Sequence, residues 1–179
     1  MTAVGDDALA RRIDALLRDV ADFPQPGVLF KDISPLLADA AAFDDVVHAM
    51  AATVDGPVDV VSGVEARGFL MAGALARQLG AGLVPVRKAG KLPPPVVSRS
   101  YDLEYGSATV EVPVHLLEGK RVLLVDDVLA TGGTLRAAAE LVTEAGGTVV
   151  AMAVIVELGF LGGRAAVGDL APLHSLLTL

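Results

Sequence analysis

The chain has 179 residues, of which 53% are apolar and 20% are charged. This size suits one globular domain, and the balance excludes extensive disorder, which needs low hydrophobicity and high charge. A net charge of −8 and the absence of tryptophan argue against a nucleic-acid partner, which needs clustered basic or stacking side chains. The N-terminus lacks a secretory pattern, and the longest apolar run, residues 149–156, is too short for a bilayer. We therefore expect a cytoplasmic protein with no membrane association.

The hydrophobic pattern alternates between helical and strand-like segments along the chain. Helices are predicted, from apolar residues at helical spacing, over residues 9–20, 41–54, 68–79 and 135–144. Strands are predicted, from short apolar runs, over residues 58–61, 82–87, 122–125 and 148–157. Alternation of this kind is typical of an α/β fold, with a parallel sheet covered by helices on both faces.

Two stretches interrupt this alternation. Residues 88–106, with three consecutive prolines followed by serine, arginine and tyrosine, predict a long irregular loop that resembles a lid. Residues 108–114 alternate valine with polar residues, which predicts the arm of a hairpin. We expect one domain over residues 1–179, with an N-terminal helix and small hood over about 1–40 and a lid with its hairpin over about 88–114.

The run over residues 122–135 carries the clearest chemical signal. Asp126 and Asp127 close an apolar strand, and in open α/β sheets the carboxyl ends of strands line the ligand crevice. Residues 131–134, Thr-Gly-Gly-Thr, then open a helix and offer backbone N–H groups and hydroxyls to a phosphate. No lysine follows as in nucleoside-triphosphate hydrolases. The alternative is an ordinary surface loop with a glycine turn. The phosphate site is favoured because the apolar strand, the acid pair, the small-residue loop and the helix all occur in one run.

This run resembles the phosphoribosyl pyrophosphate (PRPP) motif of type I phosphoribosyltransferases. In that motif the two acids meet the ribose hydroxyls and the loop holds the 5′-phosphate. The implied loop residues here are Ala130, Thr131, Gly132, Gly133 and Thr134. Four further segments, at residues 23–33, 65–69, 86–93 and 101–106, resemble the adenine phosphoribosyltransferase family in the family's order. The resemblance covers about residues 9–165 and implies a type I phosphoribosyltransferase-like fold.

The resemblance implies that N9 of adenine displaces pyrophosphate from PRPP to give AMP, a purine salvage reaction. It also implies a homodimer, and Mg²⁺ held mainly by PRPP and water rather than directly by the protein. The implied pyrophosphate-binding residues are Arg67, Arg87, Lys88, Lys91 and Tyr105. Guanidinium and ammonium groups are natural phosphate partners, although Arg87 and Lys88 could also be a solvated strand end.

The base and the proton transfer complete the implied site. Glu104 takes the place of the family's catalytic acid, although by sequence alone it could be a solvated loop residue. The implied adenine-binding residues are Leu29, Phe30, Lys31 and Leu158. By composition alone, Phe30 and Leu158 would be assigned to the hydrophobic core. The three scattered histidines and the lack of cysteine predict no zinc site. Two alternatives stay open: a PRPP-sensing regulator, and a transferase for guanine, xanthine or orotate.

Overall fold

The computed structural model describes residues 4–103 and 106–179, with side chains for residues 7–101 and 107–179. The helices are α1 (Val4–Leu16), α2 (Ser34–Ala38), α3 (Ala40–Ala51), α4 (Gly68–Leu79), α5 (Gly133–Glu144) and α6 (Gly163–Val167). The strands are β1 (Arg18–Ala21), β2 (Leu29–Asp32), β3 (Val60–Val64), β4 (Gly82–Lys88), β5 (Val96–Leu103), β6 (Gly106–Pro113), β7 (Arg121–Leu129), β8 (Thr148–Glu157) and β9 (Leu173–Thr178). No helix in these ranges is long and apolar enough to cross a membrane.

A seven-stranded sheet in the order β5-β6-β4-β3-β7-β8-β9 forms the centre of the fold. The five strands from β4 to β9 in this order run parallel, whereas the hairpin β5–β6 is antiparallel and extends the sheet beyond β4. Strands β1 and β2 form a separate antiparallel pair. The α/β class with a mostly parallel sheet is therefore confirmed.

Helices cover both faces of the sheet and bury two apolar cores. Alternate residues of β7 serve the two faces, because successive side chains of a strand point in opposite directions. Leu123 and Val125 pack with α3 and α4 on one face, and Val122 and Leu124 pack with α5 on the other. The carboxyl ends of the parallel strands are thereby fixed relative to the helices that follow them.

Three predicted boundaries near the N-terminus are wrong. The helix predicted over residues 9–20 ends at Leu16, and Val20 lies in β1, where it pairs with Phe30 of β2. The segment predicted as one helix over 41–54 is α3, which ends at Ala51 and is preceded by the separate short helix α2. The strand predicted over 58–61 starts later and runs to Val64. At β1 and β3, strand pairing decides the boundary rather than local propensity.

Besides β1 and β2, two further strands lie where none was predicted. Strand β5 occupies residues Val96–Leu103, within the stretch expected to be an irregular loop, and pairs along its whole length with β6. Strand β9 forms an edge of the sheet beside β8. Its sequence has one β-branched residue, Thr178, so it lacks the composition that marks a strand.

Candidate functional site

The acid pair lies inside β7, which runs to Leu129 rather than ending before the acids. Asp127 is buried, at 4% exposure, and its Oδ2 lies 2.8 Å from Nε of Arg67. Asp126 lines a small cavity formed with the loop that follows β7. The two carboxylates therefore have different partners, because neighbouring strand residues point to opposite sides.

The protonation of Asp126 is strongly perturbed. Burial raises its pKa well above the ordinary value of 3.8, and the neighbouring charge of Asp127 raises the pKa further. The backbone N–H of Asp127 donates to Oδ1 of Asp126 at 2.9 Å and opposes this rise only in part. Asp126 is thus a carboxyl group that gains from a hydroxyl or cationic partner in the adjoining cavity.

The loop at residues 130–134, named here the phosphate loop, joins β7 to α5 and encloses a cavity of about 90 Å³. Gly132 has a φ of +84°, a left-handed conformation that glycine adopts without strain, and α5 begins at the next residue. The first N–H groups of a helix have no partner within it, so at this end of α5, whose first residues line the cavity, they are available as donors to an anion. The loop has the geometry of an anion site at a helix N-terminus.

A second glycine, Gly163 at the start of α6, forms one wall of the phosphate loop. A Cβ on Gly132 would overlap the carbonyl oxygen of Gly163, and a Cβ on Gly163 would overlap that of Ala130. Sequence reasoning missed Gly163, because a Gly-Gly pair 30 residues away carries only a turn signal. The shape of the loop therefore depends on the direct approach of its backbone to the backbone of Gly163, which requires glycine at both positions.

Arg67 is positioned by close packing of α4 on the sheet. A Cβ on Gly63 of β3 would lie 2.5 Å from the carbonyl oxygen of Gly68, and one on Gly68 would lie 3.0 Å from that of Val125. The two glycines let the first turn of α4 approach β3 and β7 closely. Arg67, just before α4, is thereby brought against Asp127.

Arg67 also reaches the strand β2, which sequence reasoning did not anticipate. One of its terminal nitrogens donates to the carbonyl oxygen of Lys31 at 3.3 Å, and its guanidinium carbon lies 4.7 Å from the centre of the Phe30 ring. An arginine over an aromatic ring gains a cation–π attraction. Arg67 thus connects the acid pair to the segment assigned to the base.

The four residues expected to bind adenine line one cavity of about 510 Å³, within the usual range for small-ligand pockets. Leu158 is buried, and the rings of Phe23 and Phe30 pack edge to face with 5.1 Å between their centres. The ammonium group of Lys31 points away to Asp19 at 2.6 Å. Sequence reasoning missed the remaining lining residues, which include Gly27, Val28, Val128, Phe160 and Leu161.

Two carboxylates order the basic segment that begins at the end of β4 and continues to Lys91. Glu65 accepts from Nε of Arg87 at 3.2 Å and from the backbone N–H of Lys88 at 3.0 Å. Arg87 in turn donates to the carbonyl oxygen of Lys91, and Glu111 accepts from the backbone N–H of Gly90. Burial raises the pKa of Glu65, but these donors outweigh burial and hold the pKa below its ordinary value.

Two of the expected site residues, Glu104 and Tyr105, lie outside the described residues. They fall between β5 and β6, so their roles stay predictions. Sequence reasoning did not single out Tyr101 of β5, whose hydroxyl oxygen lies 3.1 Å from Oγ1 of Thr134 in the phosphate loop. A single tyrosine in a loop-like stretch gave no signal of this contact.

The fold and the strand-end site define a phosphoribosyl transferase domain, and the family model of that description matches residues 34–164. The chain is 56% identical to an adenine phosphoribosyltransferase of Nocardia farcinica over 172 residues, covering 95% of this chain and 89% of that relative. It is 54% identical to one of Thermobifida fusca, covering 93% and 96% of the two chains. The chain therefore belongs to the adenine phosphoribosyltransferase family.

Solved structures agree with the sequence relatives. The adenine phosphoribosyltransferase of Rhodothermus marinus superposes with a TM-score of 0.93 at 42% identity, covering 97% of this chain and 99% of that one. The enzyme of Giardia lamblia, complexed with 9-deazaadenine, gives a TM-score of 0.90 at 41% identity, covering 95% and 97%. These matches span nearly the whole chain, so the fold is shared over almost all of its length.

Proposed function

We propose that the chain transfers the phosphoribosyl group of PRPP to N9 of adenine, releasing pyrophosphate and forming AMP for purine salvage. The observation that carries this proposal is the continuity of two cavities. Val128, Ala130 and Thr131 line both the apolar cavity beside Phe30 and the small cavity of the phosphate loop. A molecule with a flat base at one end and a phosphate at the other, joined by a ribose, spans such a pair.

The phosphate and ribose roles follow the shape of this junction. Residues 130–134 bind the 5′-phosphate through backbone N–H groups and threonine hydroxyls at the start of α5. Asp126 and Asp127 serve the ribose hydroxyls, with Asp126 in the cavity wall and Asp127 held by Arg67. A hydroxyl donor stabilises the buried carboxylate of Asp126, whose charged form burial disfavours.

The departing pyrophosphate is assigned to Arg67, Arg87, Lys88, Lys91 and Tyr105. Three of these cations follow or end β4 and are drawn together by Glu65 and the Lys91 carbonyl. Their charge stabilises the polyanion that leaves C1 of the ribose. Arg67, at the junction of the acid pair and the base pocket, neutralises the same region from the carboxyl end of the neighbouring parallel strand β3.

The site fits a magnesium ion that arrives with the substrate. Over the described ranges, no three His, Cys, Asp or Glu side chains come together as a metal cage. Mg²⁺ keeps several waters and binds substrate phosphates, so the chain needs to supply no direct ligand. When bound, the ion would neutralise charge on the pyrophosphate oxygens.

The base is held between Phe30 and Leu158, and its edge is read by the backbone of β2. We assign the carbonyl of Leu29 to the adenine amino group and the N–H of Lys31 to N1. Because the Lys31 side chain pairs with Asp19, it does not carry the recognition. Guanine presents the opposite donor and acceptor order, and each unpaired buried group costs about 1–3 kcal/mol.

The enzyme is further proposed to work as a cytoplasmic homodimer. Leu70 of α4 and Leu83 of β4 are about half exposed although they are large and apolar. Strand β6 pairs with β4 only at Arg87 and Lys88, so in the described part of the chain residues 82–86 pair with β3 alone. These features support pairing through the α4–β4 face. Phosphorylated substrates do not cross a bilayer, which supports the cytoplasmic assignment.

A direct assay tests the activity. The purified chain is incubated with PRPP and Mg²⁺ together with adenine, guanine, hypoxanthine, xanthine or orotate, and nucleotide and pyrophosphate are quantified. We expect AMP and pyrophosphate in equal amounts with adenine, and rates at least about a hundredfold lower with guanine, given two mismatched polar contacts. Binding of PRPP without turnover on any base would favour the sensor alternative and contradict the proposal.

A further inference from the structure

Strand β5 is attached along the length of α5 by alternate side chains. Val97 and Tyr101 pack against the core on that face of the sheet. Between them, Arg99 donates to Glu140 at 2.7 Å and to Glu144 at 3.2 Å. Because every second residue of a strand points the same way, these three side chains form one continuous contact with the helix. The contact runs from the last turn of α5 to its first.

The contact ends at the phosphate loop. Oγ1 of Thr134 donates to the hydroxyl oxygen of Tyr101 at 3.1 Å. Thr134 is the second residue of α5 and lines the cavity of the loop. The half-buried phenol therefore reaches the anion site from a strand that precedes it by some 30 residues.

We propose that Tyr101 is a positioning residue, which holds the Thr134 hydroxyl for the 5′-phosphate and ties the hairpin β5–β6 to the occupied loop. A threonine hydroxyl has one proton to donate and two lone pairs to accept with. When a phosphate oxygen accepts the hydrogen bond of the Thr134 hydroxyl, the phenol turns its own O–H toward a lone pair of Oγ1. The two hydroxyls then form a chain that ends on the anion, and each bond polarises the next.

This inference rests on the phosphate loop assigned under the proposed function and extends it to a residue outside the loop. It predicts a ligand-selective effect, because Tyr101 acts only through the Thr134 hydroxyl, which binds the 5′-phosphate. Loss of the phenol hydroxyl weakens the binding of ligands that carry a 5′-phosphate. Binding of pyrophosphate alone uses the cations at the end of β4 and just after it, and is unaffected.

The test compares Tyr101→Phe, Thr134→Val and the double variant by calorimetric titration with ribose 5-phosphate and, separately, with pyrophosphate. The control is Ser100→Ala, which removes the neighbouring hydroxyl on the opposite face of β5, bonded to Thr109 at 2.8 Å. We expect Tyr101→Phe to raise the dissociation constant of ribose 5-phosphate about threefold to tenfold, as for the loss of one hydrogen bond. The dissociation constant of pyrophosphate should stay within about twofold of the parent value. The double variant should bind ribose 5-phosphate no more weakly than Thr134→Val.

Three results would overturn the inference: unchanged ribose 5-phosphate binding in Tyr101→Phe, equal weakening of both ligands, or additive losses in the double variant. Failure of the parent chain to bind ribose 5-phosphate would do the same. The adenine assay stands apart from these titrations. A chain that binds ribose 5-phosphate through Tyr101 but makes no AMP would refute the proposed activity and leave this inference standing.

Discussion

The backbone conformation of Gly132 is expected to decide whether the phosphate loop can bind its anion. Its φ of +84° disfavours any side chain, and a Cβ would meet the Gly163 carbonyl. Gly132→Ala should displace the loop and raise the KM for PRPP more than about tenfold, because donors to the anion are lost. The matched control is Gly80→Ala, where φ is +65° but no described atom lies within 4 Å of a Cβ. An unchanged KM in Gly132→Ala would refute the loop assignment.

Asp126 links the site to the pH dependence of stability. Its pKa is raised on folding, so above the ordinary value of 3.8 the unfolded chain loses this proton first, and stability falls as pH rises toward the folded pKa. Asp126→Asn removes that loss. The variant should melt at a higher temperature than the parent at pH 8, with the difference shrinking toward pH 4.5, while its affinity for PRPP falls. A variant less stable than the parent at pH 8 would contradict this.

Glu104 is expected to act in the chemical step rather than in binding PRPP. Glu104→Gln keeps the shape of the side chain but removes the ionisable proton, so turnover should fall by about 10²–10⁴ while the PRPP dissociation constant changes little. Single-turnover kinetics with saturating PRPP measure this step. Glu118→Gln, a change at an exposed carboxyl beside His115, is the control. Turnover within a few-fold of the parent would remove Glu104 from the mechanism.

At the scale of elements, the pair β1–β2 gives two neighbouring residues different roles. Phe30 of β2 is proposed to stack on the base, whereas the Lys31 side chain pairs with Asp19 of β1. Phe30→Ala should raise the KM for adenine about tenfold or more through lost aromatic contact area. Lys31→Ala should leave the ratio of adenine to guanine efficiency nearly unchanged, because the Lys31 ammonium is engaged by Asp19. Both ratios come from steady-state kinetics on the two bases. Relaxed selectivity in Lys31→Ala would show that the side chain reads the base.

Elements with a strong internal pattern could be predicted from the sequence. The bounds of α4 and β8 match the prediction because an amphipathic period and an unbroken apolar run each define an element locally. Strands β1, β2, β5 and β9 escaped prediction because their partners, which lie elsewhere in the chain, decide their conformation.

The same division holds for the site. The phosphate loop is one continuous segment, so its residue types and order carried the signal directly. The contact of Arg67 with Asp127 and Phe30 joins three separate segments and depends on the close packing of Gly63 against Gly68. No spacing in the sequence encodes that approach, and only the folded arrangement reveals it.

At the scale of the whole molecule, the exposed leucines of the α4–β4 face bear on assembly. Leu83→Glu places a charge where we propose that a second copy packs, so it should convert a dimer to a monomer in sedimentation velocity. Leu170→Glu makes the same change at another exposed leucine, 44% exposed before β9, and should leave the dimer intact. A parent chain that sediments as a monomer, or a Leu83→Glu variant that stays dimeric, would contradict the proposed face.

The contact between Gly132 and Gly163 bears on when the enzyme can first work during its own synthesis. A ribosome releases β7, the acid pair and the start of α5 well before it releases the opening of α6. Until then the loop lacks the backbone wall against which it closes, and before β8 emerges β7 also lacks that strand as its neighbour. Parallel strands distant in sequence pair late in folding. A nascent chain therefore carries the full phosphate motif for some time without a finished nucleotide site, and competence arrives only after residue 163 has emerged.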